Sequence, residues 1–152
     1  MKINYLFFGM RRSGLHCIIH DIKKYTNIGE FYNDIYEKKY KKLIRKNRDY
    51  NEMFLFEDKL FNIDTQKNKT YKIIIIRDIF SNIVSRIKIL NNIQKSNRTE
   101  KQKKNLFNCL KIDKSYFDLY FNYLNSKEHI IILYNKFIND DVYRKNIFLH
   151  LY

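Results

Sequence analysis

The sequence predicts an α/β fold: a parallel sheet with helices on both faces. Three observations point there. Short apolar runs recur along the chain, INYLFFG (3–9), EMFLFED (52–58), KIIIIRD (72–78) and HIIILYN (129–135). Several of the stretches between them carry apolar residues at helical spacing. The four isoleucines of KIIIIRD show no in–out alternation, the pattern of a central parallel strand covered on both sides.

Taken in order, INYLFFG is rich in aromatic and β-branched residues and ends at glycine, as a buried strand does. SGLHCIIHDIKKY (13–25) places Leu15, Ile18, Ile19 and Ile22 on one helical face, with Ser13 at the start. Residues 26–50 are mostly polar, with Lys and Arg dominating 38–48, and a helix with a solvated face is expected there. EMFLFED is a second strand, and TQKNKTYK (65–72) is a polar connector leading to the isoleucine strand. IFSNIVSRIKILNNI (79–93) repeats Ile79, Ile83, Ile87 and Leu90 at helical spacing. QKSNRTEKQKKN (94–105) has no apolar residue and is expected as an exposed loop or a helix end facing solvent. YFDLYFNYLNSKE (116–128) is an aromatic helix, HIIILYN another central strand, and DDVYRKNIFLHLY (140–152) a closing helix with Asp140 or Asp141 near its start. There are no internal repeats, and 152 residues suit one domain, 1–152.

Composition narrows the class. Hydrophobic residues make up 45% and aromatic residues 16%, so the chain can build a core and is not disordered by composition. Lys, Asn and Ile are overused while Trp and Pro are absent, a bias that an AT-rich genome would write. The formal net charge of +14 attracts anions, whether nucleotides, phosphorylated or sulfated groups, nucleic acid or acidic lipid. Cys17 and Cys109 are far apart and suggest no disulfide framework, the mark of a reducing compartment. The apolar runs are too short to span a bilayer, and Gly9, Arg11 and Arg12 interrupt any signal-peptide core. A cytoplasmic location with no membrane partner is expected.

Chemistry concentrates in YLFFGMRRSGLHCIIHDI (5–22). The chain has three glycines, and Gly9 and Gly14 are two of them, five residues apart. G-x-x-x-x-G between a strand and a helix is the spacing of a phosphate-cradling loop. Glycines let the backbone approach an anion, and the helix N-terminus offers N–H groups and partial positive charge. The fold expected is thus a three-layer P-loop-type sheet. Leu15 and His16 stand where a nucleotide triphosphatase has Lys and Ser or Thr, so neither a γ-phosphate lysine nor a Mg²⁺-binding hydroxyl follows the glycine. Positive charge comes instead from Arg11 and Arg12, with the Ser13 hydroxyl beside them, which points to metal-free chemistry. A second constellation follows the isoleucine strand. In RDIFSNIVSR (77–86) Arg77 stands at the strand tip and Ser85 eight residues on, about two helical turns in, where both can clamp one phosphate.

RRSG and RDIFSNIVS together resemble the sulfotransferase family that uses 3′-phosphoadenosine 5′-phosphosulfate (PAPS). GMRRSGLHCIIHDI is similar to a microbial and viral branch whose loop reads G-[LM]-R-R-S-G-x-H-x-I-I, and HIIILYNKFINDDVYRKNI to the segment where a strand ending in Tyr precedes a polar turn and a helix. The resemblance implies PAPS as co-substrate, no metal, and transfer of a sulfuryl group to a hydroxyl of a carbohydrate or small-molecule acceptor. It implies that Gly9, Arg11, Arg12, Ser13 and Gly14 hold the 5′-phosphosulfate, with Arg12 bridging to the leaving phosphate oxygen. Arg77 and Ser85 would hold the 3′-phosphate. His16 falls where many relatives have Thr, so it would pack or touch phosphate. Heparan-type relatives take their base from a Glu in an FFEK turn, which makes Glu57 in LFEDKLF (55–61) the candidate base, with Asp58 and Lys59 beside it. His20 is a rival. Relatives also carry a later glycine-bearing basic loop that closes over the 3′-phosphate. No glycine follows Gly29 here, so the domain is expected to be C-terminally short, with that role open to a partner or to the basic 94–105 segment.

Two other readings stay open. A degenerate nucleotide kinase would show magnesium-dependent ligand binding. A basic nucleic-acid-binding protein would use its Lys and Tyr residues and bind with a steep salt dependence. Its aromatic residues, however, fall mostly in apolar periodic segments, where they build core.

Overall fold

The computed structural model describes residues 3–11, 14–25, 28–44, 50–60, 69–127 and 129–151. Five strands form one all-parallel sheet: β1 (Ile3–Gly9), β2 (Ile28–Tyr32), β3 (Asn51–Glu57), β4 (Lys69–Ile76) and β5 (Ile130–Leu133), in the order β2-β3-β1-β4-β5. Seven helices are described: α1 (Leu15–Tyr25), α2 (Glu37–Leu43), α3 (Ile79–Gln94), α4 (Glu100–Leu110), α5 (Lys114–Leu124), α6 (Tyr134–Asn139) and α7 (Asp141–Leu151).

Because strand side chains alternate, the apolar runs feed two cores at once. Tyr5, Phe7, Met53, Leu55, Ile73 and Ile75 face one side, where α1, α6 and α7 cover them with Leu15, Ile18, Ile22, Phe137 and Leu151. Leu6, Phe8, Phe54, Phe56, Ile74 and Ile76 face the other, under Tyr40 of α2 and Tyr116 and Tyr123 of α5, with Ile79 and Ile83 of α3 packed alongside. The structure is therefore α/β, a sheet between two helical layers. Ile73, Ile74, Ile75 and Ile76 are all buried. At ~1.5–3 kcal/mol each they contribute roughly 6–12 kcal/mol before conformational entropy is charged against it.

Register sets where the strands end together. Gly9 of β1 lies opposite Glu57 of β3 on one side and Ile75 of β4 on the other. The chain builds β2 and β3 to one side of β1 and then crosses to β4 on the other. In open parallel sheets the crevice beyond the carboxyl ends at such a reversal is where ligands bind. Here that edge carries the β1–α1 turn, Glu57 and Arg77.

Three segments differ from expectation. Residues 26–50 are not one solvated helix; they hold β2 and the short α2. β2 has only five residues, all partly exposed or exposed, so it lacks the apolar density that marks the central strands. In 94–105, expected as an exposed loop or a helix end facing solvent, α3 ends at Gln94 and α4 starts at Glu100. A capping box sets that start: Thr99 Oγ1 accepts the Gln102 backbone N–H at 3.3 Å, and Gln102 Oε1 accepts the Thr99 N–H at 3.1 Å. The connector expected over 65–72 gives way to β4 at Lys69, and its first four residues lie outside the described ones. At the C-terminal end, HIIILYN divides between β5 and α6, whose Phe137 is fully buried. Asp140 Oδ1 accepts the Tyr143 N–H at 2.9 Å and so caps α7. No described helix is long and apolar enough to cross a membrane.

Candidate functional site

The β1–α1 turn is held before any ligand is considered. The Asp58 N–H donates to the Gly9 carbonyl at 2.9 Å, and the Arg11 N–H donates to Asp58 Oδ1 at 2.9 Å. Asn82 Nδ2 donates to the Arg11 carbonyl at 3.1 Å. Arg12 and Ser13 lie outside the described residues. The Gly14 carbonyl accepts from the Cys17 N–H at 3.1 Å and the Ile18 N–H at 3.3 Å, which starts α1.

The two glycines serve different ends. Gly14 has φ +84°, and a Cβ there would stand 2.1 Å from the Tyr134 ring. Gly9 is the last residue of β1, where a Cβ would meet Leu15 Cδ2 at 2.4 Å and the Ile75 carbonyl oxygen at 2.9 Å. Gly9 thus allows close approach of α1 and β4. It is not part of the cleft wall.

Beyond the turn lies a cleft of about 480 Å³, in the size range of small-molecule sites. Its polar wall comes from Arg11, Gly14 and His16 of the turn and α1, Glu57 at the end of β3, Arg77 after β4, and Ser85 of α3. Its apolar wall includes Leu15 and Cys17 of α1, Ile89 of α3, and Leu106 and Leu110 of α4. The two constellations separated by some seventy residues therefore share one cavity. Arg77 and Gly14 also share a neighbour: the Arg77 guanidinium lies 5.2 Å from the centre of the Tyr134 ring that fills the space beside Gly14. His20, on the same helix as His16, is exposed and is not among the cleft residues.

Glu57 is the half-buried acid of the site, its side chain 15% exposed. Its Oε2 is 3.3 Å from Arg11 Nε and its Oε1 is 3.7 Å from His16 Nε2. Burial raises its pKa above the ordinary carboxylate value. The Arg11 charge pulls it back, Asp34 pushes it up, His16 lowers it and Asp58 raises it. Arg11 itself is turned into carboxylates: its Nη2 bonds Asp34 Oδ2 at 2.6 Å, and its Nε is 3.5 Å from Asp58 Oδ2. The guanidinium holds the acidic wall together. Asp78, next to Arg77, caps α3 by accepting the Ser81 N–H at 2.7 Å and takes a bond from Asn135 Nδ2 at 3.2 Å. Those Ser81 bonds hold its pKa below the usual range.

No family model, curated protein or solved structure matches the chain. What the site can do rests on its own chemistry. Gly14, His16, Arg77 and Ser85 line a cleft at the N-terminus of α1 and suit an anion with separated charges. Glu57 offers a basic oxygen on the adjoining wall. Among the described residues no group of three or more His, Cys, Asp or Glu side chains is arranged to hold a metal.

Several site residues were invisible in the sequence. Asp34, at φ +41°, sits in a stretch read as helix. Leu106 and Leu110, an i, i+4 apolar pair, were the one signal that α4 presents a face to the cleft. Arg86 is buried beneath the turn although Arg is rarely buried, so no pattern announces it.

Proposed function

We propose that the protein is a sulfotransferase that moves a sulfuryl group from PAPS to a hydroxyl of a carbohydrate or small-molecule acceptor. One observation carries it: Arg77 and Ser85 line the same cleft as Gly14 and His16, with the half-buried carboxyl of Glu57 on its wall. A nucleotide that carries phosphate at both ends of its ribose calls for two separate anion grips, and the cleft offers two.

The donor supplies an activated sulfuryl group. The chain's part is to position, neutralise and take up a proton. Arg77 and Ser85 bind the 3′-phosphate. The turn and the first turn of α1 bind the phosphosulfate end. Arg12 is assigned, on sequence alone, to neutralise the phosphate oxygen that leaves. Glu57 accepts the acceptor hydroxyl's proton as that oxygen bonds to sulfur and the sulfur–oxygen bond to phosphate breaks, its electron pair departing on the phosphate. Raised basicity suits Glu57 to this task.

Titration calorimetry decides the matter, with adenosine 3′,5′-bisphosphate and Mg-ATP as ligands for the wild type and Arg77→Ala. Micromolar binding of the bisphosphate, weakened at least about tenfold in the variant (~1.4 kcal/mol), is the expected result. Tighter binding of Mg-ATP would overturn it in favour of a kinase. Salt-sensitive RNA or DNA binding without bisphosphate preference would overturn it in favour of a nucleic-acid-binding protein.

A further inference from the structure

We infer that Arg86 is a positioning residue that fixes the backbone of the phosphate-binding turn through Asp58 and Asn82. This role rests on the sulfotransferase reading for its consequence to ligand, though not for its geometry. Arg86 is 2% exposed and is the largest fully buried side chain among the described residues. Its Nη2 donates to Asp58 Oδ1 at 2.6 Å, and its Nε donates to Asn82 Oδ1 at 3.1 Å. Those two side chains hold the two backbone polar groups of Arg11: Asp58 Oδ1 takes the N–H and Asn82 Nδ2 reaches the carbonyl. Tyr116 closes the cluster. Its hydroxyl donates to Asn82 Oδ1 at 2.9 Å, and its ring lies 4.6 Å from the Arg86 guanidinium.

Stability alone gives little reason for this arrangement. Burying a guanidinium costs several kcal/mol of solvation, and well-packed apolar residues commonly replace buried ion pairs at no loss. A planar fork that satisfies an aspartate and an asparagine at once does something an apolar residue cannot: it fixes the orientation of both. Asn82 is the telling partner. Its Oδ1 is taken by Arg86 and Tyr116, so its Nδ2 must point at the Arg11 carbonyl. Asp58 is held at φ +53°, a left-handed conformation uncommon for a non-glycine residue, with its N–H on the Gly9 carbonyl. The chain between Gly9 and Arg11 is therefore braced on both edges by groups that Arg86 orients. Arg86 is not among the residues that line the cleft; Ser85, its neighbour on α3, is.

The test uses the full chain with Arg86→Lys, Arg86→Met and Asp58→Asn. Lysine keeps the charge opposite Asp58 but cannot serve Asn82 at the same time. Hydrogen exchange at the Met10 and Arg11 amides is expected to speed up at least about tenfold in Arg86→Lys, with β1 and β4 amides unchanged. Affinity for adenosine 3′,5′-bisphosphate is expected to fall by about tenfold or more while urea stability falls little. A purely structural role predicts the opposite split, with exchange rising throughout the sheet and affinity tracking stability, and that result would overturn the assignment. Wild-type protection and affinity in Arg86→Lys and Asp58→Asn would overturn it too. Should Arg86→Met not fold, those two variants decide alone. Should the wild type bind no bisphosphate, the sulfotransferase reading fails while the exchange measurement still judges the brace.

Discussion

Replacing Gly14 by alanine tests the architecture of the turn through two separable costs. The first is conformational. Gly14 sits at φ +84°, and an L-residue there costs ~1–2 kcal/mol. The second is steric. The new Cβ would stand 2.1 Å from Tyr134 Cε2 and 2.3 Å from its Cδ2, so ring or backbone must move. Overpacking of this kind costs ~1–3 kcal/mol. Together they give a loss of about 2–5 kcal/mol, which at ~2–4 °C per kcal/mol for a chain of this size lowers Tm by about 4–20 °C. Circular dichroism melts of the wild type, Gly14→Ala, Tyr134→Ala and the double variant separate the two costs. In the Tyr134→Ala background the steric cost disappears and only the conformational one is left, a coupling of about 1–3 kcal/mol. Bisphosphate affinity should fall in Gly14→Ala as well, because the displaced ring also supports Arg77. An equal cost in both backgrounds, or a Tm within about 1 °C of wild type, would refute the reasoning that Tyr134 and Gly14 are fitted to each other.

Gly9→Ala should destabilise by a similar ~1–3 kcal/mol, and Leu15→Ala should not rescue it, since the Ile75 carbonyl is backbone; urea denaturation of the pair decides. Glu57→Gln should cut sulfuryl transfer about 10²–10⁴-fold in a single-turnover assay while leaving bisphosphate binding intact. The same variant has a signed pH signature. The folded-state pKa of Glu57 is raised, so its contribution is most favourable below the ordinary carboxylate value of 4.5 and is lost as pH climbs through the folded value. Glu57→Gln should therefore be more stable than wild type at neutral pH, with the gap closing on acidification in a urea series. Thr99→Ala removes the cap of α4 and should cost about 1 kcal/mol of stability, read from chemical denaturation.

What was legible in the sequence was whatever is written as apolar density. The isoleucines of β4, the aromatic run of β1 and the face Leu15–Ile18–Ile22 each fill a buried surface, and burial is what hydrophobic pattern records. β2 was missed because an edge strand half open to water needs no such density, and its five residues carry a glycine and a glutamate. The start of α4, where the sequence left loop and helix end open, carries no apolar mark for a related reason. It is set by hydrogen bonds between Thr99 and Gln102, with the apolar residues that touch the cleft arriving only at Leu106. The candidate site divides the same way. Gly14 and Arg77 lie at a helix start and a strand tip, and Ser85 two turns into α3, places that local sequence can mark. Asp34 and Arg86 act across 23 and 28 residues on Arg11 and Asp58, pairings that depend on how loops and helices pack.

That division explains why the site sits where it does. Parallel register puts the carboxyl ends of β1, β3 and β4 level, so Gly9, Glu57 and Ile75 lie side by side. Each strand then delivers a different chemistry to one edge: a turn with helix N–H groups from β1, a carboxylate from β3, a guanidinium from β4. Carboxylates at such an edge would repel an anion, and the chain answers by turning Arg11 onto Asp34, Glu57 and Asp58 and burying Arg86 against Asp58. With those charges balanced locally, Arg77 at the strand tip lines the cleft beside Asp78, whose carboxylate is occupied in capping α3. The net charge of +14 draws an anion from a distance. It is this pairing of the nearby acids that lets the short-range field of the cleft agree with the long-range one.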